Sequence, residues 1–309
     1  MPLKCVEHMS LGRSVKACAK INLHLEVLNK RDDGYHNIFS VMAQVDLHDL
    51  LKLEKADIRH SEGNVQVFVN NAGGLNASVI DAISPQDNLI SRAAHLMMKK
   101  RGYSGELTFS IEKNIPAGAG LGGGSSDAAM TFKLLDEYLE TKDSRLMEFG
   151  ASIGADVPFN MVGGFAICEG IGNVVEPITG GLDYTVLVAN RGIHIETGQA
   201  YRMLNRSVTT KYDEIDIASK KERIRQSFQI RSLEPIKDIL INDFERPVFQ
   251  LYPELKELKE EMQGLGAEIA MMTGSGSTMI GLFNDEKMAQ AAEKCLKKKV
   301  QLAMVTKFY

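Results

Sequence analysis

Hydrophobic and polar residues alternate with a period of two along the start of the chain. Between Val15 and Leu28, apolar side chains recur at odd positions and polar side chains occupy the even positions from Lys20 to Glu26. This period is typical of a β-strand with one apolar and one polar face. The turn-forming residues of 29–34 then predict a sharp reversal of the chain.

Alternating and helical periods predict most of the remaining elements. Expected strands are Leu50–Glu54, Val65–Val69, Leu107–Ile111, Thr185–Ala189, Ile269–Met272, Met279–Phe283 and Val300–Val305, and expected helices are Arg145–Ile153, Gly198–Leu204, Lys220–Phe228, Tyr252–Gln263 and one that starts at Glu286. A further helix is expected from Asn88 to about Lys100, with Asp87 as its N-cap and Gly102 as its end. Strands and helices in this order predict an α+β fold.

The chain is long enough for two domains. Composition changes gently over Gly163–Gly172, where we expect a strand and a crossover. We place a boundary there, which gives an N-terminal domain of residues 1–172 and a C-terminal domain of residues 173–309. The polar segment Met1–Ser14 is expected to be a loose extension, with Met9 as an alternative start.

The most distinctive segment is PAGAGLGGGSS, in which five of the eleven residues are glycine. Its residues are Pro116, Ala117, Gly118, Ala119, Gly120, Leu121, Gly122, Gly123, Gly124, Ser125 and Ser126. A backbone with so few Cβ atoms bends tightly and brings successive N–H groups to one point, which favours an anion. Ser125, Ser126 and Asp127 then open a helix with an apolar stripe from Met130 to Leu139, so the positive end of the helix dipole faces the segment. Phosphate is the expected occupant.

Two other nucleotide-binding patterns can be compared with this segment. It matches the dinucleotide pattern G-x-G-x-x-G, but a dinucleotide-binding turn follows a continuous apolar strand, whereas Leu107–Ile111 alternates and Pro116 intervenes. The lysine of the Walker pattern G-x-x-x-x-G-K-[ST] is missing. A glycine-rich surface loop without a ligand would not explain why the glycines run directly into two helix-opening serines.

Composition narrows the class of protein. The chain has 309 residues, of which 44% are hydrophobic and 25% charged, as in a globular protein with a sizeable core. Its formal net charge of −4 gives no general attraction to nucleic acid or to a membrane, and we expect neither as a partner. The lysine run 297–299 closes a predicted helix, where cations complement the dipole. The four cysteines and seven histidines form no disulfide framework, C-x-x-C pair or H-x-x-x-H pair, so we expect a reducing cytoplasm and no metal-binding residues.

Three more motifs accompany the glycine-rich segment. They are AKINLHLEV (19–27) with RDDGYH (31–36), IGADVPF (153–159) and TGSGSTMIGLF (273–283). In this order, over almost the whole chain, the motifs resemble the small-molecule kinase superfamily named after galactokinase, homoserine kinase, mevalonate kinase and phosphomevalonate kinase. The resemblance implies a two-lobed kinase fold with a catalytic cleft between the lobes, an N-terminal domain that binds ATP with Mg²⁺, and a C-terminal domain that binds the substrate.

A kinase needs a phosphate cradle, a cation near the transferred phosphoryl group, and a group that takes the proton of the acceptor hydroxyl. The resemblance implies that Asp156 is the catalytic base and Lys20 the catalytic lysine, with Asn22 on the same strand face to bond the acceptor. From the residues alone, the simpler interpretation of Asp156 is an ordinary turn aspartate, in a turn that Pro158 holds open. The residues alone likewise favour Lys20 as a solvent-facing lysine of a strand.

The RDDGYH motif resembles the branch of this superfamily whose acceptor is 4-diphosphocytidyl-2-C-methyl-D-erythritol. The resemblance implies phosphorylation of the 2-hydroxyl of that compound, a step of non-mevalonate isoprenoid precursor biosynthesis. In that branch a tyrosine and a histidine of the D-G-Y-H segment meet the cytosine, which maps onto Tyr35 and His36. Tyr201 is the best match for a second aromatic side chain that stacks on the opposite face of the base.

Gly274, Ser275 and Gly276 resemble a second glycine loop that faces the first across the cleft, or else form a hairpin turn. Alternative activities are another kinase of the superfamily, of the homoserine or mevalonate type, and an NAD-binding oxidoreductase. A non-catalytic nucleotide-binding regulator is a third alternative, against which Lys20 and Asp156 argue. We expect a cytoplasmic enzyme with a small-molecule substrate, either a monomer or a weak homodimer.

Overall fold

The structure is a computed structural model that describes residues 11–309. Residues 1–10 of the predicted loose extension, with Met9, lie outside the described residues. For residues 11–14 the prediction is wrong, because the N–H of Gly12 donates to the carbonyl of Leu53 at 2.9 Å and Ser14 begins the first strand. The chain forms two compact units, and neither is continuous in sequence. The first unit contains residues 11–18, 47–117 and 123–161, and the second contains 19–46, 118–122 and 162–309. The domain boundary near Gly172 stays a prediction.

Two long strands pass through both units. They are β1 (Ser14–Lys30) and β2 (His36–His60), and β1 pairs with β2. The turn between them occupies the residues for which the sequence predicts a reversal, and β1 covers the predicted first strand. The predicted strand Leu50–Glu54 is only a part of β2. The earlier part of β2 is buried on both faces and mostly apolar, so its sequence shows no alternation.

The first unit packs helices against part of a six-stranded sheet. Its remaining elements are β3 (Val65–Asn71), α1 (Ser78–Ala82), α2 (Leu89–Arg101), β4 (Tyr103–Glu112), α3 (Gly123–Tyr138), α4 (Leu146–Ile153) and α5 (Val157–Val162). β4 pairs antiparallel with β2 and parallel with β3. The apolar side chains that alternate along β4, such as Leu107 and Phe109, form one core with Phe132 and Leu135 of α3.

The second unit contains the remaining strands of the six-stranded sheet and a separate four-stranded sheet. Its remaining elements are β5 (Phe165–Glu169), β6 (Val174–Pro177), β7 (Thr185–Asn190), α6 (Thr197–Met203), α7 (Glu214–Gln229), α8 (Glu245–Leu251), α9 (Pro253–Gly264), β8 (Ile269–Met272), β9 (Met279–Phe283), α10 (Glu286–Leu296) and β10 (Leu302–Lys307). The first part of β2 pairs with β5, which pairs with β6. The other sheet is antiparallel in the order β10-β7-β9-β8, and residues of α8, α9 and α10 pack with it in one core.

The prediction of an α+β fold is confirmed, and β8 and β9 have their predicted bounds. Four short elements, α1, α5, β6 and α8, were not predicted, because four to seven residues show too little period to be recognised. The expectation that Pro158 holds a turn open is wrong. Pro158 is the second residue of α5, where the first turn of a helix needs no N–H donor.

The N-cap of α2 is Asn88, and the prediction of Asp87 is wrong by one residue. The side-chain oxygen of Asn88 accepts a hydrogen bond from the N–H of Ile90 at 2.9 Å. The Asp87 carboxylate instead accepts from the Ser84 hydroxyl at 2.7 Å. Both residue types cap helices well, so the path of the backbone decides between them. Gly102 ends the helix as predicted, in the left-handed conformation at φ 69°.

This difference can be tested by equilibrium unfolding. We expect Asn88→Ala to lower the free energy of unfolding by about 1 kcal/mol, because one N–H of the first turn loses its acceptor. The matched variant Asp87→Ala removes only an exposed contact and should change stability by less than about 0.5 kcal/mol. Equal losses in the two variants would contradict the assignment of the cap.

Candidate active site

The polar face of β1 places a lysine inside the second unit. Lys20 is only 5% exposed, so the interpretation of a solvent-facing strand lysine is wrong. Its Nζ donates to Oδ1 of Asn22 at 2.8 Å, and Nδ2 of Asn22 donates to the Ser40 hydroxyl at 2.8 Å. That hydroxyl donates in turn to the carbonyl of His24 at 2.6 Å. The chain of hydrogen bonds fixes the amide of Asn22 and holds the ammonium in one place.

Part of the glycine-rich segment lies directly against this lysine. Within the second unit, the Lys20 N–H donates to the carbonyl of Leu121 at 2.9 Å. Gly122 has φ +66°, and a Cβ there would lie 2.8 Å from Cγ of Lys20. Gly120 has φ +78°, and a Cβ there would lie 2.7 Å from the carbonyl oxygen of Thr273. Both positions therefore require glycine, for the backbone angle and for the space.

The second glycine motif is the connection between β8 and β9. The two strands are antiparallel, so Gly274, Ser275 and Gly276 lie in a hairpin connection, as the alternative interpretation has it. The connection also touches the first glycine segment, because a Cβ on Gly274 would lie 3.0 Å from the carbonyl oxygen of Gly120. The expectation that the two loops face each other across a cleft is therefore wrong for residues 118–122, which pack against the hairpin inside one unit.

Three polar side chains that the sequence analysis missed hold this arrangement. The Thr273 hydroxyl accepts from the N–H of Asn22 at 2.7 Å, so the hairpin is tied to β1. Nδ2 of Asn242 donates to the carbonyl of Gly274 at 2.9 Å. The imidazole of His194 lies against Gly118, where a Cβ would be 2.9 Å from Nδ1. Asn242 and His194 belong to no motif, and Thr273 opens the TGSGSTMIGLF motif without being singled out there; all three contacts arise only through the fold.

The residues proposed for a cytosine form a partly ordered aromatic group in the second unit. The rings of His36 and Tyr201 stack with centroids 4.9 Å apart and an interplanar angle of 24°. Phe244 meets the Tyr201 ring edge-on at 4.9 Å. Burial, together with the charge of Lys30, lowers the pKa of His36, which favours a neutral ring with one donor and one acceptor. Tyr35 is 60% exposed, as expected of a residue on a loop rim.

In the first unit, the end of the glycine-rich segment begins a helix. α3 begins at Gly123, two residues before the predicted start at Ser125. Ser125 and Ser126 therefore lie inside its first turn. The first N–H groups of a helix have no partner within it, and here they include those of Gly123, Gly124 and Ser125. The hydroxyl of Ser126 is buried and has no hydrogen-bond partner among the described residues. This turn can accept an anion.

Asp156 comes directly before α5 and is half-buried. Its backbone carbonyl accepts from the N–H of Asn160 at 3.1 Å and from the Asn160 side chain at 2.9 Å. The preceding Gly154 lies against the first turn of α3, since a Cβ there would be 3.6 Å from Oγ of Ser125. The fold of the first unit therefore brings the Asp156 turn next to the predicted phosphate-binding serines. Lys20 and Asn22 belong to the second unit.

The first unit also contains a buried triad of charges that was not predicted. Nζ of Lys113 donates to Asp49 at 2.5 Å and to Asp127 at 2.7 Å. All three side chains are at most 5% exposed. One signal in the sequence was available: Asp127 lies four residues before buried Thr131 and so falls on the apolar face of its helix. A carboxylate in that position requires a cationic partner.

Burial raises the pKa of Asp127 to about 7, and the nearby Asp49 carboxylate adds to that rise, while the Lys113 ammonium opposes it. The pKa of Lys113 is raised although burial alone would lower it, because two carboxylates stabilise the ammonium. Oδ1 of Asp127 has no hydrogen-bond partner among the described side chains and backbone groups. The carboxyl group of Asp127 therefore binds its proton more tightly in the folded protein than in the unfolded chain.

Within residues 11–309, no three His, Cys, Asp or Glu side chains come together as a protein metal site would need. No helix of the described part is both long and apolar enough to cross a membrane.

Comparison with known proteins gives the class first. The model described as GHMP kinases N terminal domain matches residues 88–164, and the model described as GHMP kinases C terminal matches residues 224–301. A solved homoserine kinase from Cytophaga hutchinsonii has the same fold at 16% identity, with a TM-score of 0.68 over 96% of each chain. The fold and these matches define a small-molecule kinase of the GHMP class.

Two relatives of higher identity are named as the same kinase. The 4-diphosphocytidyl-2-C-methyl-D-erythritol kinase of Thermodesulfovibrio yellowstonii is 37% identical over 284 residues, which cover 90% of this chain and 92% of the relative. A crystal structure of 4-(cytidine 5'-diphospho)-2C-methyl-D-erythritol kinase is 31% identical and covers 95% of this chain and 99% of its own, with a TM-score of 0.74. The chain belongs to the 4-diphosphocytidyl-2-C-methyl-D-erythritol kinase family. The dinucleotide interpretation of the glycine-rich segment is thereby replaced by that of a kinase loop.

The raised pKa of Asp127 predicts how stability depends on pH. Protonation of Asp127 stabilises the fold below about pH 4, and this contribution is lost as the pH rises through about 7. Asp127→Asn cannot ionise, so between pH 5 and pH 8 it should lose less stability than the parent protein, by about 2 kcal/mol. Urea unfolding at both pH values measures this difference. The exposed control Asp87→Asn should follow the parent, and an Asp127→Asn curve parallel to the parent would contradict the prediction.

Proposed function

We propose that the protein transfers the γ-phosphoryl group of ATP to the 2-hydroxyl of 4-diphosphocytidyl-2-C-methyl-D-erythritol, in non-mevalonate isoprenoid precursor biosynthesis. The observation that carries the proposal is the buried Lys20 ammonium, held by Asn22 and packed against the glycine segment through Gly122. A cation beside a glycine-rich backbone suits the phosphate chain of ATP. The names of the relatives support the choice of acceptor.

The proposed nucleotide site is the segment from Pro116 to Ser126. Its fit to a phosphate chain rests on two features: glycine positions where a Cβ would collide with neighbouring atoms, and the buried hydroxyl of Ser126, which lacks a partner among the described residues. Backbone N–H groups of the first turn of α3 would receive the phosphate oxygens, with Ser125 and Ser126 beside them. Magnesium would arrive with ATP and take oxygen ligands from phosphate and water.

The proposed roles of the catalytic residues follow from their chemistry. Asp156 takes the proton of the acceptor hydroxyl, which makes that oxygen a better nucleophile. Lys20 offsets the negative charge that develops on the phosphoryl oxygens. Asn22, whose Oδ1 is engaged by Lys20, positions the acceptor through its fixed amide. The protein itself forms no covalent bond to phosphate in this proposal.

The cytosine would be recognised by Tyr35, His36 and Tyr201. In the proposal the two tyrosine rings hold the faces of the base, and His36 reads its amide-like edge. The neutral ring favoured by the lowered pKa of His36 supplies both a donor and an acceptor for such an edge. Gly274, Ser275 and Gly276 would complete the acceptor site, beside the Lys20 strand to which Thr273 ties them.

A coupled assay of ADP release tests the proposed reaction. The acceptors to compare are 4-diphosphocytidyl-2-C-methyl-D-erythritol, homoserine and mevalonate, each with ATP and Mg²⁺. We expect turnover with the cytidyl compound alone. Turnover with homoserine or mevalonate would favour another kinase of the class, and a protein that binds ATP without any turnover would favour a regulator. A cytoplasmic location and a monomer or weak homodimer stay predictions.

The catalytic pair predicts a specific pattern of rates. Asp156→Asn keeps the shape of the side chain but cannot take a proton, so kcat should fall by about 10²–10⁴ while ATP affinity changes little. Because Lys20 and Asp156 would act at one step, Lys20→Met combined with Asp156→Asn should cost much less than the product of the two single losses. The exposed control Asp238→Asn should keep the parental kcat. Near-normal turnover in Asp156→Asn would place the base elsewhere.

The cytosine site predicts a change in KM. Tyr35→Ala should lose roughly 1–3 kcal/mol of stacking. The loss should raise the KM of the acceptor with little change in kcat, because the base is remote from the reacting hydroxyl. Cytidine diphosphate should compete with the acceptor, and less well in the variant. Tyr212→Ala, another exposed tyrosine of the second unit, is the matched control. Unchanged KM values in both Tyr35→Ala and Tyr201→Ala would rule out the cytosine site.

A further inference from the structure

Residues 114–115 lead into the glycine-rich segment and residues 123–127 lead out of it, and we call them its incoming and outgoing stems. In the first unit both stems are held by one buried charge cluster. Oδ1 of Asp49 accepts from the backbone N–H of Asn114 at 2.6 Å and from that of Ile115 at 2.8 Å. These two residues directly precede Pro116, where the segment begins. Asp49 belongs to β2, so the incoming stem is fixed to a strand of the sheet.

The outgoing stem is held by Lys113 and Asp127 of the same cluster. Oδ2 of Asp49 accepts from Nζ of Lys113, which also donates to Asp127 in the second turn of α3. The ammonium lies against the first residue of that helix as well, because a Cβ on Gly123 would be 3.1 Å from Nζ. One lysine therefore links β2, the end of β4 and the start of α3 at the point where the segment enters its helix.

Such a cluster is poorly suited to raising stability. Removing three charged groups from water costs several kcal/mol for each, and well-packed apolar side chains of similar size would often stabilise a core as well or better. With both carboxylates ionised, the triad also carries one net negative charge that nothing else in its short contacts offsets. Its directional contacts do, however, define the position of two backbone segments more strictly than apolar packing would.

We propose that Lys113 is a positioning residue for ATP: between Asp49 and Asp127 it holds both stems of the glycine-rich segment, so that the first-turn N–H groups of α3 point at the phosphate. This inference rests on the proposed function and adds a residue to it. Lys113 would act through the backbone of Gly123 and its neighbours. Donors fixed in advance lose no free energy to reorganisation when the phosphate arrives, so loosening them weakens binding.

Two variants separate positioning from stability. Lys113→Met removes the link and leaves two carboxylates buried without a cation, which should destabilise the fold severely. Lys113→Met with Asp127→Asn also lacks the link, but it restores the single net negative charge of the parent triad. We therefore expect the double variant to regain much of the stability lost by the single one. It should not regain the geometry of the stems, because methionine cannot donate to either oxygen.

Three measurements on the full chain compare the two variants with the parent protein. Urea unfolding gives stability, calorimetry gives the affinity for ATP, and the KM of the acceptor reports the remainder of the site. We expect both variants to bind ATP about tenfold to a hundredfold more weakly at a temperature where they are folded, with the acceptor KM nearly unchanged. The control Leu107→Ala removes a buried side chain of β4 away from the triad, and it should lower stability while keeping the parental ATP affinity.

Amide hydrogen exchange without nucleotide gives a readout independent of ATP. Peptides that cover residues 114–126 should exchange faster in the double variant than in Leu107→Ala at matched stability. The inference is overturned if the double variant regains ATP affinity together with stability, or if these peptides exchange as they do in the control. A parent protein that fails to bind ATP would instead overturn the proposed function, and the exchange measurement would still decide whether Lys113 holds the stems.

Discussion

Much of the second unit is organised by the burial of one ammonium group. A lysine on the polar face of a strand normally reaches water, but the Lys20 side chain is buried and its ammonium must be hydrogen-bonded inside the protein. The amide of Asn22 meets that need, and the Ser40 hydroxyl holds the amide in turn. Space for the lysine stem exists only because Gly122 has no side chain. The strand, the glycine segment and the ammonium are therefore interdependent.

The first unit uses charges for a similar purpose. The N–H groups of Asn114 and Ile115 leave the sheet at the end of β4 and need acceptors once they are covered. Asp49 supplies both, and its charge is compensated by Lys113, which reaches Asp127 of the following helix. The segment proposed to hold phosphate thus starts and ends on groups whose positions are set by buried electrostatics. The residues of the loop itself contribute flexibility and space, while their surroundings contribute the geometry.

The fold alone does not select an acceptor. Homoserine kinase shares the architecture at low identity, so specificity must reside in side chains carried by the common scaffold. In this chain the candidates are concentrated in the second unit, where His36 follows the turn after β1 and its ring stacks on Tyr201 of α6. That stacking orders two of the three residues proposed for the cytosine before any ligand binds, and an ordered site loses less entropy on binding.

Local physics explains which elements could be predicted from the sequence. The alternation of β1, β3 and β4 and the helical periods of α2 and α10 reflect one apolar and one polar face, which a short window of sequence records. The first part of β2 has no such contrast, because most of its residues are apolar on both faces. The choice of Asn88 over Asp87 as the cap of α2, and the helical position of Pro158, depend on backbone angles that neighbouring elements impose.

The sequence by itself determined the family, the glycine-rich segment and the residues proposed for chemistry, because these are motifs whose order and spacing survive in a linear chain. Only the tertiary structure decided that Lys20 is buried, that residues 118–122 pack on the hairpin at Thr273, and that Lys113 lies between two carboxylates. Each of these contacts joins residues far apart in sequence. Their free energy depends on distance and burial, which only the folded chain defines.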